Sequence, residues 1–230
     1  MKQNKLWIIP CVFFAACCVL NLAGCLTEGQ LERCVKPALM PLLCVTTFTW
    51  LLGRAGSVAR PCLAPLLLCA QLFGYAGDTM LMGSGFAFFA GGIALFLVGH
   101  IFYITLFGKQ SLKGLKPWQW AAGVAAGMAC TCLLAFGIGV KGVMLVPMGI
   151  YGFVLMMLIF STLMGVIRFG GATWWILLCG AVLFTFSDSL IAVRNFGSLS
   201  PFMGGFGVMV TYLAAQSLLA VGSLRLIVSR

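Results

Sequence analysis

Two aspartates stand inside runs that are otherwise apolar: Asp78 in AQLFGYAGDTML (70–81) and Asp188 in CGAVLFTFSDSLIAV (179–193). The chain has only four acidic residues, and the other two, Glu28 and Glu32, fall in a connection where they need no special account. An ionisable group in hydrocarbon costs several kcal/mol and is usually found facing a bundle interior with a partner. Low dielectric and mutual repulsion disfavour the charged forms of two carboxyls that lie close together. A pair that faces each other shares a proton, one member acting as acid and the other as base. Such a site suits acid-catalysed addition of water to a substrate that arrives through the bilayer. The plainer reading of either aspartate is a hydrogen-bonding group that ties helices together.

Helical spacing supplies neighbours for both. Gln71, Tyr75 and Asp78 recur at intervals of four and three and share one face. His100 and Tyr103 in GHIFY (99–103), and Tyr212 and Gln216 in VTYLAAQ (210–216), are likewise a turn apart. Ser187 and Ser189 flank Asp188, with Thr185 three positions before it. Lys36-Pro37 reads as the opening of a further span, a cation followed by a residue suited to a first helical turn. The five polar stripes are expected to turn toward a common pocket. Depth puts Lys36, Asp78 and Asp188 in the outer third of the bilayer. His100 falls nearer the inner side and ranks below the carboxylates, as pocket lining, a relay or a satisfied core residue.

The elements that position these residues follow from composition. Of 230 residues, 62% are hydrophobic and 8% charged, with a mean hydropathy of +1.12. So little polar surface cannot cover a soluble domain. A helix needs about 20 apolar residues to cross a hydrocarbon core of roughly 30 Å. Eight runs qualify: 6–26, 36–52, 61–82, 86–107, 117–137, 144–164, 172–193 and 202–227. The expected fold is all-α, a polytopic integral membrane protein built as a bundle of eight transmembrane helices, with residues 1–230 as one domain. The short alternating stretches of a membrane β-barrel are missing.

The net charge of +10 does not point to nucleic acid, because the basic residues are spread singly through the connections. Their placement reports orientation instead. Lys2, Lys5, Arg54, Arg60, Lys109, Lys113, Lys116, Arg168, Arg225 and Arg230 fall on one side of an eight-span layout; Arg33, Lys36, Lys141 and Arg194 fall on the other. Both termini are therefore expected in the cytoplasm, with a bacterial inner (plasma) membrane the fitting location.

Several other chemistries fit poorly. Leu22-Ala23-Gly24-Cys25 after Lys2 and Lys5 is similar to a lipoprotein signal, yet seven further spans follow and a lipid anchor adds little to an embedded chain. Most of the eleven cysteines lie inside spans, where cysteine is a small apolar residue; without a C-x-x-C and with one histidine, no metal site is expected. The Gly123-x-x-x-Gly127 pair is assigned to helix packing. There is no G-x-S-x-G elbow, no H-E-x-x-H and no Gly-rich phosphate loop. Gly74-Tyr75-Ala76-Gly77-Asp78 and Pro37-Ala38-Leu39 resemble motifs of presenilin-like proteases, but the tripeptide precedes both aspartates instead of following them. A proton- or cation-coupled small transporter is the rival from another class. It would carry broken helices and inverted repeats.

KPALMPLL (36–43), GYAGDTMLM (74–82), FLVGHIFYITLF (96–107), GAVLFTFSDSLIAV (180–193) and MVTYLAAQSLLAVGS (209–223) together resemble, in order, the YhhN-like lysoplasmalogenase family. The resemblance runs from the second span to the eighth; the cysteine-rich first span takes nothing from it. It implies an eight-span membrane enzyme that cleaves the vinyl ether bond of lysoplasmalogens, releasing a fatty aldehyde and a glycerophospho-head group. The partners implied are that lysophospholipid and the membrane lipids, with neither metal nor organic cofactor required. It also implies Asp78 and Asp188 as the essential aspartates and matches Lys36, His100, Tyr103 and Tyr212 to the family's lysine, histidine and tyrosines. Vinyl ether hydrolysis needs a neutral acid to protonate the carbon beta to oxygen and a carboxylate to stabilise the cation or activate water. Asp188, flanked by Ser187 and Ser189, is taken as the acid and Asp78 as the base. Lys36, with Arg194 second, is the candidate for the substrate phosphate, and snorkelling to the interface is the plainer role of each.

Overall fold

Proline and glycine punctuate the chain, and the helices lie between them. In a computed structural model, residues 5–27, 30–140, 142–196 and 203–228 are described. The elements among them are helical: α1 (Ile8–Thr27), α2 (Gln30–Gly53), α3 (Ala64–Leu81), α4 (Phe86–Ser111), α5 (Pro117–Ile138), α6 (Leu145–Phe169), α7 (Gly171–Phe196) and α8 (Val208–Val228). α5 shows the local logic. Pro117 opens it, the Gln119 side chain accepts the Lys116 backbone N–H at 2.8 Å, and Gly139 closes it in the left-handed region at φ 77°.

Seven of the eight helices are long and apolar enough to cross a membrane. Bulky apolar side chains such as Phe13 and Val19 on α1 and Leu133 and Phe136 on α5 are exposed. A water-soluble protein does not show such a surface, and the chain is an integral membrane protein. The helix outside the seven is α3. Its 18 residues span about 27 Å, and they include Gln71 and Asp78, which lower its hydropathy. The expectation of eight spans therefore stands on composition for seven helices, and the shortfall falls on a helix that carries a candidate site residue.

The start of α2 corrects a second expectation. The helix begins at Gln30, six residues before Lys36, so Lys36-Pro37 does not open it; Pro37 and Pro41 both lie inside. The reason is pairing with α1. Asn21 of α1 donates its amide to the Glu32 carbonyl at 3.3 Å, and a Cβ added at Gly24 would come within 2.6 Å of the Glu32 nitrogen. Gly24 of the Leu-Ala-Gly-Cys tetrad is thus a point of close helix approach. The eleven cysteines are all free thiols.

The contacts divide the chain into two compact units, Met1–Phe102 with Ala220–Arg230, and Tyr103–Leu219. In the first, α2 lies between α1 and α3. α3 meets the first part of α4 through small residues: a Cβ on Gly77 would strike the Phe96 ring at 2.7 Å, and one on Gly99 would lie 3.1 Å from the Ala70 carbonyl. Arg60 ties the end of α8 to the α2–α3 connection, its backbone N–H donating to Ile227 O at 3.0 Å and its guanidinium to Leu226 O at 2.7 Å.

In the second unit α6 packs against both α5 and α7. Gly123 and Gly127 do what their spacing predicts: added Cβ atoms would meet Phe160 and Met157 of α6 at 2.5 and 3.1 Å. Between α6 and α7, Gly165 faces the buried Trp174 ring, 1.9 Å from where a Cβ would sit. Residues Met203–Gly207 form a single π-helical turn ahead of α8. The Gly204 carbonyl of that turn accepts the Arg194 guanidinium at 3.0 Å.

Gly165→Ala should lower stability by about 1–3 kcal/mol, because an indole enclosed on all sides cannot step aside. Gly149→Ala, with open space around its Cβ, should leave thermal unfolding in detergent unchanged.

Candidate functional site

The buried side of α7 carries Ala181, Phe184, Thr185, Asp188 and Ala192 at helical spacing. Asp188 is 8% exposed, and α7 runs unbroken through it. Its Oδ2 accepts a hydrogen bond from the hydroxyl of Tyr151 on α6. The two residues line a cavity of about 40 Å³ between α5, α6 and α7, together with Thr131, Thr185, Ser189 and Leu155. That is room for roughly two or three water molecules. It does not admit an acyl chain as it stands.

The serines beside Asp188 have other partners. Ser187 donates to the Val208 carbonyl at 3.1 Å and fastens α7 to α8, while Ser189 donates back to Thr185 O at 2.8 Å. Thr185 in turn donates to Ala181 O at 2.9 Å. The sequence offers these serines as support for Asp188; in the structure the carboxyl accepts from Tyr151. It is the one tyrosine of four that sequence reading passes over, because span six holds no ionisable residue near it. A usable signal was present nonetheless: Tyr151, Leu155, Leu158, Thr162 and Gly165 form the buried stripe of α6.

Three other predicted residues are joined in the same unit. The Tyr103 hydroxyl donates to Gln216 Oε1 at 3.2 Å, and Gln216 Nε2 donates to the Tyr212 oxygen at 3.3 Å. All three side chains are buried, and Tyr212 stands edge-on to Phe184 of α7 at 5.5 Å. Arg194 is exposed in the last turn of α7, on Gly204 O.

The remaining candidates belong to the first unit. Asp78 is 8% exposed on an unbroken α3. Gln71 is fully buried and donates to Thr47 of α2 at 3.0 Å. Tyr75 and Lys36 are half-buried, and His100 is buried on α4 near Phe96. Among the described residues, no three His, Cys, Asp or Glu side chains group as a metal site would require.

A multi-helix membrane protein with a water-sized cavity ending on a buried carboxyl is the class these features define. The model of the YhhN family matches residues 31–223, and the chain belongs to that family. The match begins after α1, the helix onto which the sequence resemblance carried nothing. The chain is 30% identical over 223 residues to the lysoplasmalogenase TMEM86B of Mus musculus, covering 97% of this chain and 88% of that one. It is 29% identical to lysoplasmalogenase TMEM86B of Homo sapiens (95% and 87% covered) and 27% identical to lysoplasmalogenase TMEM86A of Homo sapiens (97% and 90% covered). No solved structure matches the chain.

The Tyr103–Gln216–Tyr212 chain makes an energetic prediction. Tyr103→Phe removes one neutral hydrogen bond and should cost about 1 kcal/mol. Gln216→Leu takes the glutamine partner from two buried hydroxyls and should cost about 2–3 kcal/mol. A double-mutant cycle on thermal stability should return a coupling of about 0.5 kcal/mol or more.

Proposed function

We propose that the protein is a lysoplasmalogenase, hydrolysing the vinyl ether bond of an alkenyl lysophospholipid to a fatty aldehyde and a glycerophospho-head group. Family membership and the names of the relatives support the substrate class. The observation that carries the chemistry is the Asp188 carboxyl, buried on the wall of a cavity that has room for water and held by a phenol.

In this reading all eight helices span the bilayer, with α3 sheltered beside α2, both termini cytoplasmic and a bacterial inner membrane as the location. Asp188 is the acid. A hydrogen bond from the Tyr151 hydroxyl to Oδ2 helps hold the carboxyl on the cavity wall. Proton transfer to the carbon beta to the ether oxygen gives an oxocarbenium-like cation. Asp78, on the strength of the resemblance, is the base that takes a proton from the attacking water, and the hemiacetal then collapses to aldehyde and alcohol. The steps balance with water as the only co-reactant. Lys36 serves the substrate phosphate. On the resemblance and the helical spacing, Gln71, Tyr75, His100, Tyr103, Tyr212 and Gln216 are further candidates for substrate contact. The unbroken α3 and α7 favour this reading over a carrier, whose ion sites are typically built on interrupted helices.

Purified protein in detergent, given 1-alkenyl lysophosphatidylethanolamine beside its 1-alkyl analogue, should release aldehyde from the alkenyl lipid alone. Asp188→Asn and Asp78→Asn should each lower kcat by about 100-fold or more with folding intact. Tyr151→Phe should lower it by about tenfold, the kinetic equivalent of one hydrogen bond. No aldehyde from folded wild type, or full activity in Asp188→Asn, would overturn the proposal.

A further inference from the structure

The α2–α3 connection holds a second hollow, remote in sequence from Asp188. It encloses about 410 Å³, roughly tenfold the 40 Å³ at Asp188. Phe48, Leu51 and Leu52 at the end of α2, Val58 in the connection, and Pro65 and Leu68 at the start of α3 form its walls. Every lining side chain is apolar. Phe48 and Leu52 are 49% and 58% exposed, so the hollow is an open trough at the ends of two membrane helices. A trough of that kind holds hydrocarbon.

The charge beside it is one-signed. Arg54 follows Leu52 by two residues, and Arg60 precedes Pro61; no acidic residue occurs between Glu32 and Asp78. The central carbon of the Arg54 guanidinium lies over the Trp50 ring, 4.1 Å from its centroid, a cation–π contact that holds the charge beside the connection. It caps no backbone group of the short turn that follows. A guanidinium held over an indole, with a second cation six residues on, complements a phosphate. The connection also belongs to the Lys/Arg-rich side of the span layout, and anionic lipids concentrate in the leaflet that faces such a side.

We propose that this trough is a binding site for an anionic membrane phospholipid, one acyl chain lying along Leu52, Val58 and Pro65 and the phosphate seated on Arg54. Arg60 adds long-range charge while its guanidinium holds the end of α8. The site is independent of the reaction proposed above, and its occupant is a resident lipid of the surrounding leaflet.

Native mass spectrometry of the purified full-length protein in detergent tests this, with phosphatidylglycerol and phosphatidylcholine as the added lipids. Wild type should retain one phosphatidylglycerol with a preference of about fivefold over phosphatidylcholine, the gain expected from one cation near an anionic head group. Arg54→Gln should bring the two lipids level. Leu52→Trp, which fills the trough, should abolish retention of both while melting as wild type does in lipid-free detergent. Equal retention of the two lipids by wild type, an undiminished preference in Arg54→Gln, or full retention in Leu52→Trp would overturn the proposal.

Discussion

A carboxyl inside a membrane must have its polar atoms met by protein, because hydrocarbon offers nothing else. The hydrogen bond from Tyr151 to Asp188 meets that demand, and much of the second unit follows from it. α6 and α7 must lie close enough for a phenol to reach a carboxyl. Gly165 against Trp174 permits that proximity farther along the same pair of helices. The polar residues around the acid turn their hydroxyl protons onto backbone carbonyls, as Thr131, Thr185 and Ser189 do on Gly127, Ala181 and Thr185. The cavity wall near the acid is therefore apolar with a few fixed dipoles.

The same economy appears in the glutamine–tyrosine chain. Gln216 accepts from Tyr103 through its oxygen and donates to the Tyr212 oxygen through its amide, so one neutral side chain joins two phenols. Hydrogen bonds of this kind tie membrane helices together where small residues alone give contact but no direction. Glycine fixes how near two helices come; the polar chain fixes which faces turn inward.

Most of this was legible in the amino-acid order. The apolar runs gave the helices to within six residues at each end, since hydrocarbon thickness sets their approximate length. The intramembrane aspartates announced themselves by cost. Spacing alone paired Tyr212 with Gln216. Two things were hidden for definite reasons. Pro37 looked like a first-turn residue because proline is at home there, whereas α2 had already begun at Gln30, drawn into register with α1 by Asn21 and Gly24. Tyr151 was hidden because a tyrosine in an apolar run is ordinary core, and only the third dimension sets it against Asp188.

α3 carries an implication for how the protein is made. α1 ends at Thr27 and α2 begins at Gln30, so the two can leave the insertion machinery as one greasy hairpin. α3 emerges next, bearing a glutamine and an aspartate that resist partitioning into lipid by themselves. Its docking partners are α2, already in the bilayer, through Gln71 on Thr47, and the glycine-faced start of α4, not yet synthesised. A helix with a glutamine and an aspartate in its middle and end thus waits, half-sheltered, for its successor, and assembly order becomes part of what the sequence encodes.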